Sequence, residues 1–273
     1  MAEIKHALIR TALAPVRAKP NVRAEQISQE LLGAVLRVIE RSGDWTLVAG
    51  EDGYEGWVQE GALIFCPAAK AEAWWDDAGG RPAVALDATL ADEAGRVIAR
   101  LPWGARVAVA SGLVRLPDGR QGRLLEGRLV DWSERAGEYP AEAAAVVATG
   151  WEWLGVPYLW GGRTRWGADC SGFVQAVYRL HGLTLPRDSF QQAEVGGAVD
   201  AGSALEACRP GDLLFFRARD SERVVHVALS LGGTAMLHAA EANGQIVADD
   251  LAGGSDLQRS LADRVSGVRR LFG

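Results

Sequence analysis

Two hydrophobic rhythms divide this chain. From about residue 8 to residue 131, apolar residues fall in short β-branched runs broken by Gly, Asp and Asn, the pattern of strands and tight turns. After Trp132 the rhythm changes. Pro140 through Leu154 reads as an alanine-rich helix with proline in its first turn. Phe173, Val174, Val177, Tyr178 and Leu180 recur at helical spacing, with Gly182 as a stop signal. A short polar helix is predicted from Asp188 to Glu194. Strands then follow at 212–216, 224–231, 235–239, 245–248 and 265–272. Helices ahead of an antiparallel sheet make an α+β domain.

The first half repeats itself. The run 27–38 matches 98–109 at an offset of 71, and 52–58 matches 118–124 at an offset of 66, so a five-residue deletion separates the matched blocks. Asp52-Gly53 and Asp118-Gly119 are hairpin signals in equivalent places. Each copy has the length of a small β-barrel. The expected organisation is a first barrel domain over 1–67, a connector over 68–81 with a short helix ending at Gly79-Gly80, a second barrel over 82–132, and an α+β domain over 133–273.

The chemistry converges on Cys170. It sits where the helical spacing begins, so it faces unpaired backbone N–H groups and the positive end of a helix dipole, which favour a thiolate. His226 opens one apolar run and His238 lies on the next, joined by Gly232-Gly233-Thr234 as a hairpin. Counted from Gly233, the two histidines stand seven back and five ahead, so they are not directly opposed, but adjacent rungs are within reach if a bulge intervenes. The assignment is Cys170 as nucleophile, His226 as base and acid, and His238 as the group that orients His226. The Cys170 backbone N–H, with Tyr158, would hold the oxyanion. A helix-borne cysteine packed on a histidine-bearing sheet is the layout of papain-like hydrolases.

The remaining composition narrows the classes. Of the 273 residues, 48% are hydrophobic and 23% charged, an ordinary globular balance. A net charge of −6 without a dense Lys/Arg tract argues against nucleic acid or an anionic membrane as partner. Three cysteines make no disulfide framework; Cys66 and Cys208 are read as packing residues and His181 as a helix cap. Zinc on Cys170, His226 and His238 is possible by ligand type, but no closely spaced ligand pair accompanies them, so no metal or cofactor is expected. Ser171 and Ser189 are read as helix caps or substrate contacts. Trp74, Trp75, Trp151 and Trp153 are read as inter-domain packing. With no secretory leader in the chain as given, a cytoplasmic protein is expected; a trimmed leader would make it periplasmic or secreted.

The motifs Tyr158-x-Trp160-Gly161-Gly162, Asp169-Cys170-Ser171-Gly172-Phe173, 185–189 (Leu-Pro-Arg-Asp-Ser), 209–216, His226-Val227-Ala228 and Leu237-His238-Ala239 resemble the NlpC/p60 family of bacterial cell-wall peptidases. The repeat resembles bacterial SH3-like domains. Together they resemble the γ-D-glutamyl-L-diamino acid endopeptidases of dipeptidyl-peptidase VI type. That resemblance implies a Cys–His–His triad acting on murein stem peptides that carry a free N-terminal L-alanine. It also implies that Tyr158, Asp169, Ser171 and Ser189 line the peptide site, Asp169 helping to hold the ammonium. Tyr54 and Glu25, with Glu30 nearby, would close the amine end from the first domain. Arg120 stands where the second repeat would need a tyrosine. Two other classes stay open: a wall-binding protein without turnover, and a thiol amidase or acyltransferase acting on another amide.

Overall fold

A computed structural model describes residues 5–76, 80–202 and 205–272. The chain forms two compact units that meet in sequence at Arg135/Ala136.

The N-terminal unit holds two antiparallel sheets. The first has seven strands in the order Gln26–Leu31, Leu13–Arg17, Glu55–Gln59, Trp45–Ala49, Val35–Ser42, His6–Ile9 and Leu63–Cys66. Its core gathers Ala7, Ile9, Leu36, Val48 and Val58, all essentially inaccessible. The second sheet runs Arg106–Ala110, Leu113–Arg115, Gln121–Asp131, Arg81–Ala91 and Val97–Leu101. Arg106–Ala110 also pairs back onto Arg81–Ala91, which closes four of these strands into a ring.

The sequence repeat is visible in the backbone. Gly33 and Gly104, which stand 71 apart, both adopt positive φ (79° and 90°). The Asp52 and Asp118 side chains each accept from the backbone N–H two residues on, at 3.0 and 3.1 Å, through the same turn. Between the sheets lies the helix Ala68–Asp76; the predicted helix end at Gly79 falls outside the described residues. Trp75 fastens this helix to the second sheet through Nε1–H to Val107 O (3.2 Å) and a ring contact with Trp132.

The C-terminal unit packs helices on a six-stranded antiparallel sheet ordered Gly197–Ala198, Val265–Arg270, Leu213–Arg217, Val224–Gly232, Ala235–Ala240 and Gln245–Asp250. The helices Ala143–Trp151 and Cys170–Leu180 lie against its central strands. Trp153 is fully buried beside Phe173, so it fills this unit's own core, and Trp151 is 44% exposed. Both differ from the inter-domain role expected of them. His181 ends the Cys170 helix and is buried, with Nδ1 at 2.7 Å from Pro140 O and Nε2 at 2.9 Å from Thr149 Oγ. It therefore ties two helices together as well as capping one. Cys66 and Cys208 are buried free thiols. Among the described residues, no helix is long and apolar enough to cross a membrane.

Candidate active site

The Cys170 helix is built by a cap and a close approach. Asp169 is its N-cap, accepting from the Gly172 N–H at 2.7 Å. Gly172 passes so near the Gly162 carbonyl that an added Cβ would lie 2.0 Å from that oxygen. The Gly161-Gly162 turn is locked to the same cap, since the Gly161 N–H donates to Asp169 Oδ2 at 2.8 Å. Cys170 is thus the first helical residue, wedged between a turn and the sheet.

The histidine hairpin depends on its bulge. Near the turn Gly232 pairs with Ala235, but one residue on the first strand is skipped, and Ser230 then pairs with Met236 and Leu229 with Leu237. Continuing that register sets His238 level with Ala228, two residues from His226 and on the same face. Without the skipped residue the two rings would face opposite sides of the sheet. Here they meet at 2.9 Å, Nε2 of His226 to Nδ1 of His238.

The thiol lies against the strand that carries His226. The backbone N–H of Val227, the residue after His226, hydrogen-bonds the Cys170 sulfur, as does the Ser171 N–H. Burial and the Asp169 carboxylate push the Cys170 thiol up to about 12, and these two amides and Arg187 pull it only part of the way back. Burial, then His238 and Arg264, hold the half-buried His226 down to about 3. Burial also lowers His238, against the pull of Asp249. Burial therefore opposes the thiolate expected from the helix start. Removal from water works against the helix amides and favours a thiol beside a neutral imidazole.

Tyr158 stands within electrostatic reach of Cys170 and Asp169; burial followed by these two groups raises its hydroxyl far above its usual range, so it stays a donor. Asp169, Ser171 and Ser189 are all nearly inaccessible. The two serines cap nothing, because Asp169 and Asp188 occupy the N-cap positions ahead of them. The sequence reading missed the partner of Asp169. Arg187 is 1% exposed and forks onto it at 2.6 and 3.1 Å, and its Nη1 also donates to Ser171 Oγ at 2.8 Å. A buried arginine in the motif at 185–189 was the available signal. Among the described residues no group of three or more His, Cys, Asp or Glu side chains is arranged to hold a metal ion.

In the N-terminal unit, Glu25 is exposed just before the strand Gln26–Leu31, and Tyr54 is half-buried after the Asp52-Gly53 turn. Glu30 is buried, and its carboxylate lies against Gly50, whose N–H donates to Tyr54 O. The structure thus brings Glu30 to the turn that carries Tyr54 and leaves Glu25 on the surface.

A buried cysteine at a helix start, a histidine pair on an adjoining antiparallel sheet and a protonated tyrosine beside them define a thiol hydrolase. Comparison with known proteins agrees. Residues 155–265 match the NlpC/P60 family, and residues 16–63 match the bacterial dipeptidyl-peptidase Sh3 domain. A gamma-D-glutamyl-L-lysine dipeptidyl-peptidase of Bacillus cereus is 33% identical over 237 residues, taking in 79% of this chain and 67% of that protein. Dipeptidyl-peptidase 6 of Lysinibacillus sphaericus is 27% identical over 98% of this chain and 100% of its own length. A crystal structure of an NlpC/P60 family protein from Bacillus cereus superposes with a TM-score of 0.77 at 25% identity, over 97% of this chain and 99% of that one. The chain belongs to the NlpC/P60 family and is a cysteine peptidase with an N-terminal SH3-like domain.

Proposed function

We propose that this peptidase hydrolyses the γ-D-glutamyl–L-diamino acid bond of murein stem peptides bearing a free N-terminal L-alanine, in the turnover or recycling of wall fragments. The observation that carries the chemistry is the 2.9 Å contact between His226 and His238, with the Cys170 sulfur bonded to the amide that follows His226. The substrate class is supported by relatives bearing dipeptidyl-peptidase names that align with both parts of the chain.

In this reading His226 Nε2 is engaged with His238, which leaves Nδ1 as the base. The Cys170 sulfur attacks the γ-carbonyl carbon as its proton passes to His226 Nδ1. The tetrahedral oxyanion is held by the Cys170 backbone N–H, which has no carbonyl partner in its own helix, and by the Tyr158 hydroxyl. The C–N bond breaks as His226 returns the proton to the leaving amine, and a thioester remains. His226 then takes a proton from water, the hydroxide attacks the thioester, and the acid leaves as the thiol is restored. The second sheet of the N-terminal unit is read as a further SH3-like domain. Its Arg120 is bound to Asp118 and to Ile98 O, so its role is structural.

The test uses purified protein with L-Ala-γ-D-Glu-L-Lys and with the meso-diaminopimelate analogue. Release of L-Ala-D-Glu, abolished in Cys170→Ala and blocked by N-acetylation of the alanine, is the expected result. Equal cleavage of the acetylated peptide rejects the free-amine requirement, and no cleavage of either peptide rejects the substrate class. Amine recognition by the N-terminal unit is assigned to Tyr54 with an acid. Glu30→Gln and Glu25→Gln decide which acid, by the rise in KM for the free-amine peptide.

A further inference from the structure

A carboxylate stands behind the second histidine. On the paired strands Ala235–Ala240 and Gln245–Asp250, His238 lies opposite Val247. Asp249, two residues further, projects to the same face as Val247 and is therefore a diagonal neighbour of His238. Its Oδ2 is 3.6 Å from His238 Nε2. That nitrogen is buried and, among the described residues, has no hydrogen-bond partner within ordinary reach. Both groups are shielded, the side chains being 1% and 11% exposed.

The carboxylate is held in place by its own supports. Asp249 Oδ1 accepts from Gln258 Nε2 at 2.5 Å and from the Asp250 N–H at 2.9 Å. Gln258 is fixed in turn by a capping box, its Oε1 accepting from the Ser255 N–H at 2.9 Å while Ser255 Oγ accepts from the Gln258 N–H at 3.2 Å. With Oε1 committed to that amide, the NH₂ group of Gln258 is the end that faces Asp249.

This arrangement decides where protons sit. A neutral imidazole carries one N–H, and an ionised carboxylate only accepts. Facing Asp249, His238 carries its proton on Nε2, so its Nδ1 offers a lone pair. At 2.9 Å the only complementary state for His226 has the proton on Nε2. His226 Nδ1 is then bare, which is the form that takes a proton from a thiol. With the His238 proton on Nδ1 instead, every step reverses: His226 would accept at Nε2 and present an N–H at Nδ1.

We propose that Asp249 is a positioning residue that fixes the tautomer of His238 and, through it, of His226, so that the catalytic chain runs Cys170–His226–His238–Asp249. This rests on the reading of Cys170, His226 and His238 as the catalytic set. Asp249 also offsets, through the intervening ring, the charge His226 gains on taking the thiol proton. Other groups acting on this row include Arg264, which bears on His226, and Asp169, Arg187 and Tyr158, which bear on Cys170. A separation of 3.6 Å is long for a hydrogen bond, and contacts of this kind shorten when the row becomes charged.

The test has one readout that needs no substrate and one that does. In the ¹⁵N NMR spectrum of the wild-type protein, His226 and His238 should each show a protonated Nε2 and a bare Nδ1. Asp249→Ala should mix or reverse the His238 tautomer and slow iodoacetamide alkylation of Cys170. It should also lower kcat about 10-fold or more, with KM within about two-fold. Asp249→Glu should restore part of both rates, and Gln258→Ala should shift them the same way by less. A wild-type His238 protonated on Nδ1 overturns the proposal. So does an Asp249→Ala protein with unchanged tautomers and alkylation rate. If Asp249→Ala does not fold, the wild-type spectrum and Gln258→Ala decide it. If the peptides are not cleaved but tautomers and alkylation respond as stated, the substrate reading falls and the role of Asp249 stands.

Discussion

Arg187 Nη2 lies 2.6 Å from Asp169 Oδ2, and the two side chains are 1% and 7% exposed. The pair therefore sits in a medium where each charge depends on the other. Removing Arg187 alone strands a carboxylate beside Cys170. Arg187→Met should cost about 3–5 kcal/mol of unfolding free energy, measured by guanidinium denaturation. Combining it with Asp169→Asn should recover much of that loss, because no uncompensated charge stays behind. A single variant as stable as wild type would show that Asp169 finds another cation or a proton.

The depressed histidines set the direction of acid sensitivity. His226 falls to about 3 in the folded chain, against an ordinary value near 6.5, and burial lowers His238 as well. The unfolded chain then binds protons first as pH falls below about 6.5, so stability is full above that value and drains away toward pH 3. The limiting slope is about 1.4 kcal/mol per pH unit for each histidine. Carboxylates held low by partners, such as Asp92 and Asp131, lose their contribution only at lower pH. Denaturant midpoints between pH 6.5 and 4.5 should therefore decline in the wild type and decline less steeply in His226→Gln, where only His238 remains. An equal decline in both would remove His226 as the cause.

What could be read from the sequence was local. Helical spacing after Cys170 and the two apolar runs carrying His226 and His238 were enough to place a cysteine at a helix start and two imidazoles on a hairpin. Counting residues around Gly233 brings the two histidines to adjacent rungs when a bulge intervenes. What escaped lies across gaps that no periodicity spans. Arg187 meets Asp169 from 18 residues away, and Asp249 reaches His238 from the next strand. The state of the thiol escaped for another reason. A helix start argues for a thiolate, but burial argues against it, and burial is a property of the packed unit. Trp153 misled in the same way: a tryptophan near a domain boundary looks like an interface residue until Phe173 is found beside it.

Gly172 is required by distance. A methyl group there would lie 2.0 Å from the Gly162 carbonyl oxygen, which is backbone and has little room to yield. That same turn holds Asp169, so a shift at Gly172 passes to both neighbours of Cys170. Gly172→Ala should cost about 1–3 kcal/mol, as overpacking does, and should lower kcat more than the stability loss alone accounts for. The comparison to make is kcat at a temperature where the variant is fully folded by circular dichroism. A variant with normal kcat there would mean the helix start tolerates displacement.

Tyr178 separates architecture from chemistry on the same helix. Its hydroxyl donates to Gly211 O at 2.6 Å in a buried setting, and its ring stacks on Phe272 with centroids 5.8 Å apart. Two turns from Cys170 and fully buried in the core, it bonds a loop carbonyl and takes no part in the histidine row. Tyr178→Phe keeps the ring contact and removes only the donor, leaving a buried carbonyl with one partner fewer. The expected loss is about 1–2 kcal/mol in unfolding free energy, with kcat, KM and the alkylation rate of Cys170 unchanged. A kcat that falls in step with stability would mean the helix start is not held independently by Asp169, Arg187 and the Gly161-Gly162 turn. The placement of Cys170 would then depend on the whole helix, Gly211 contact included.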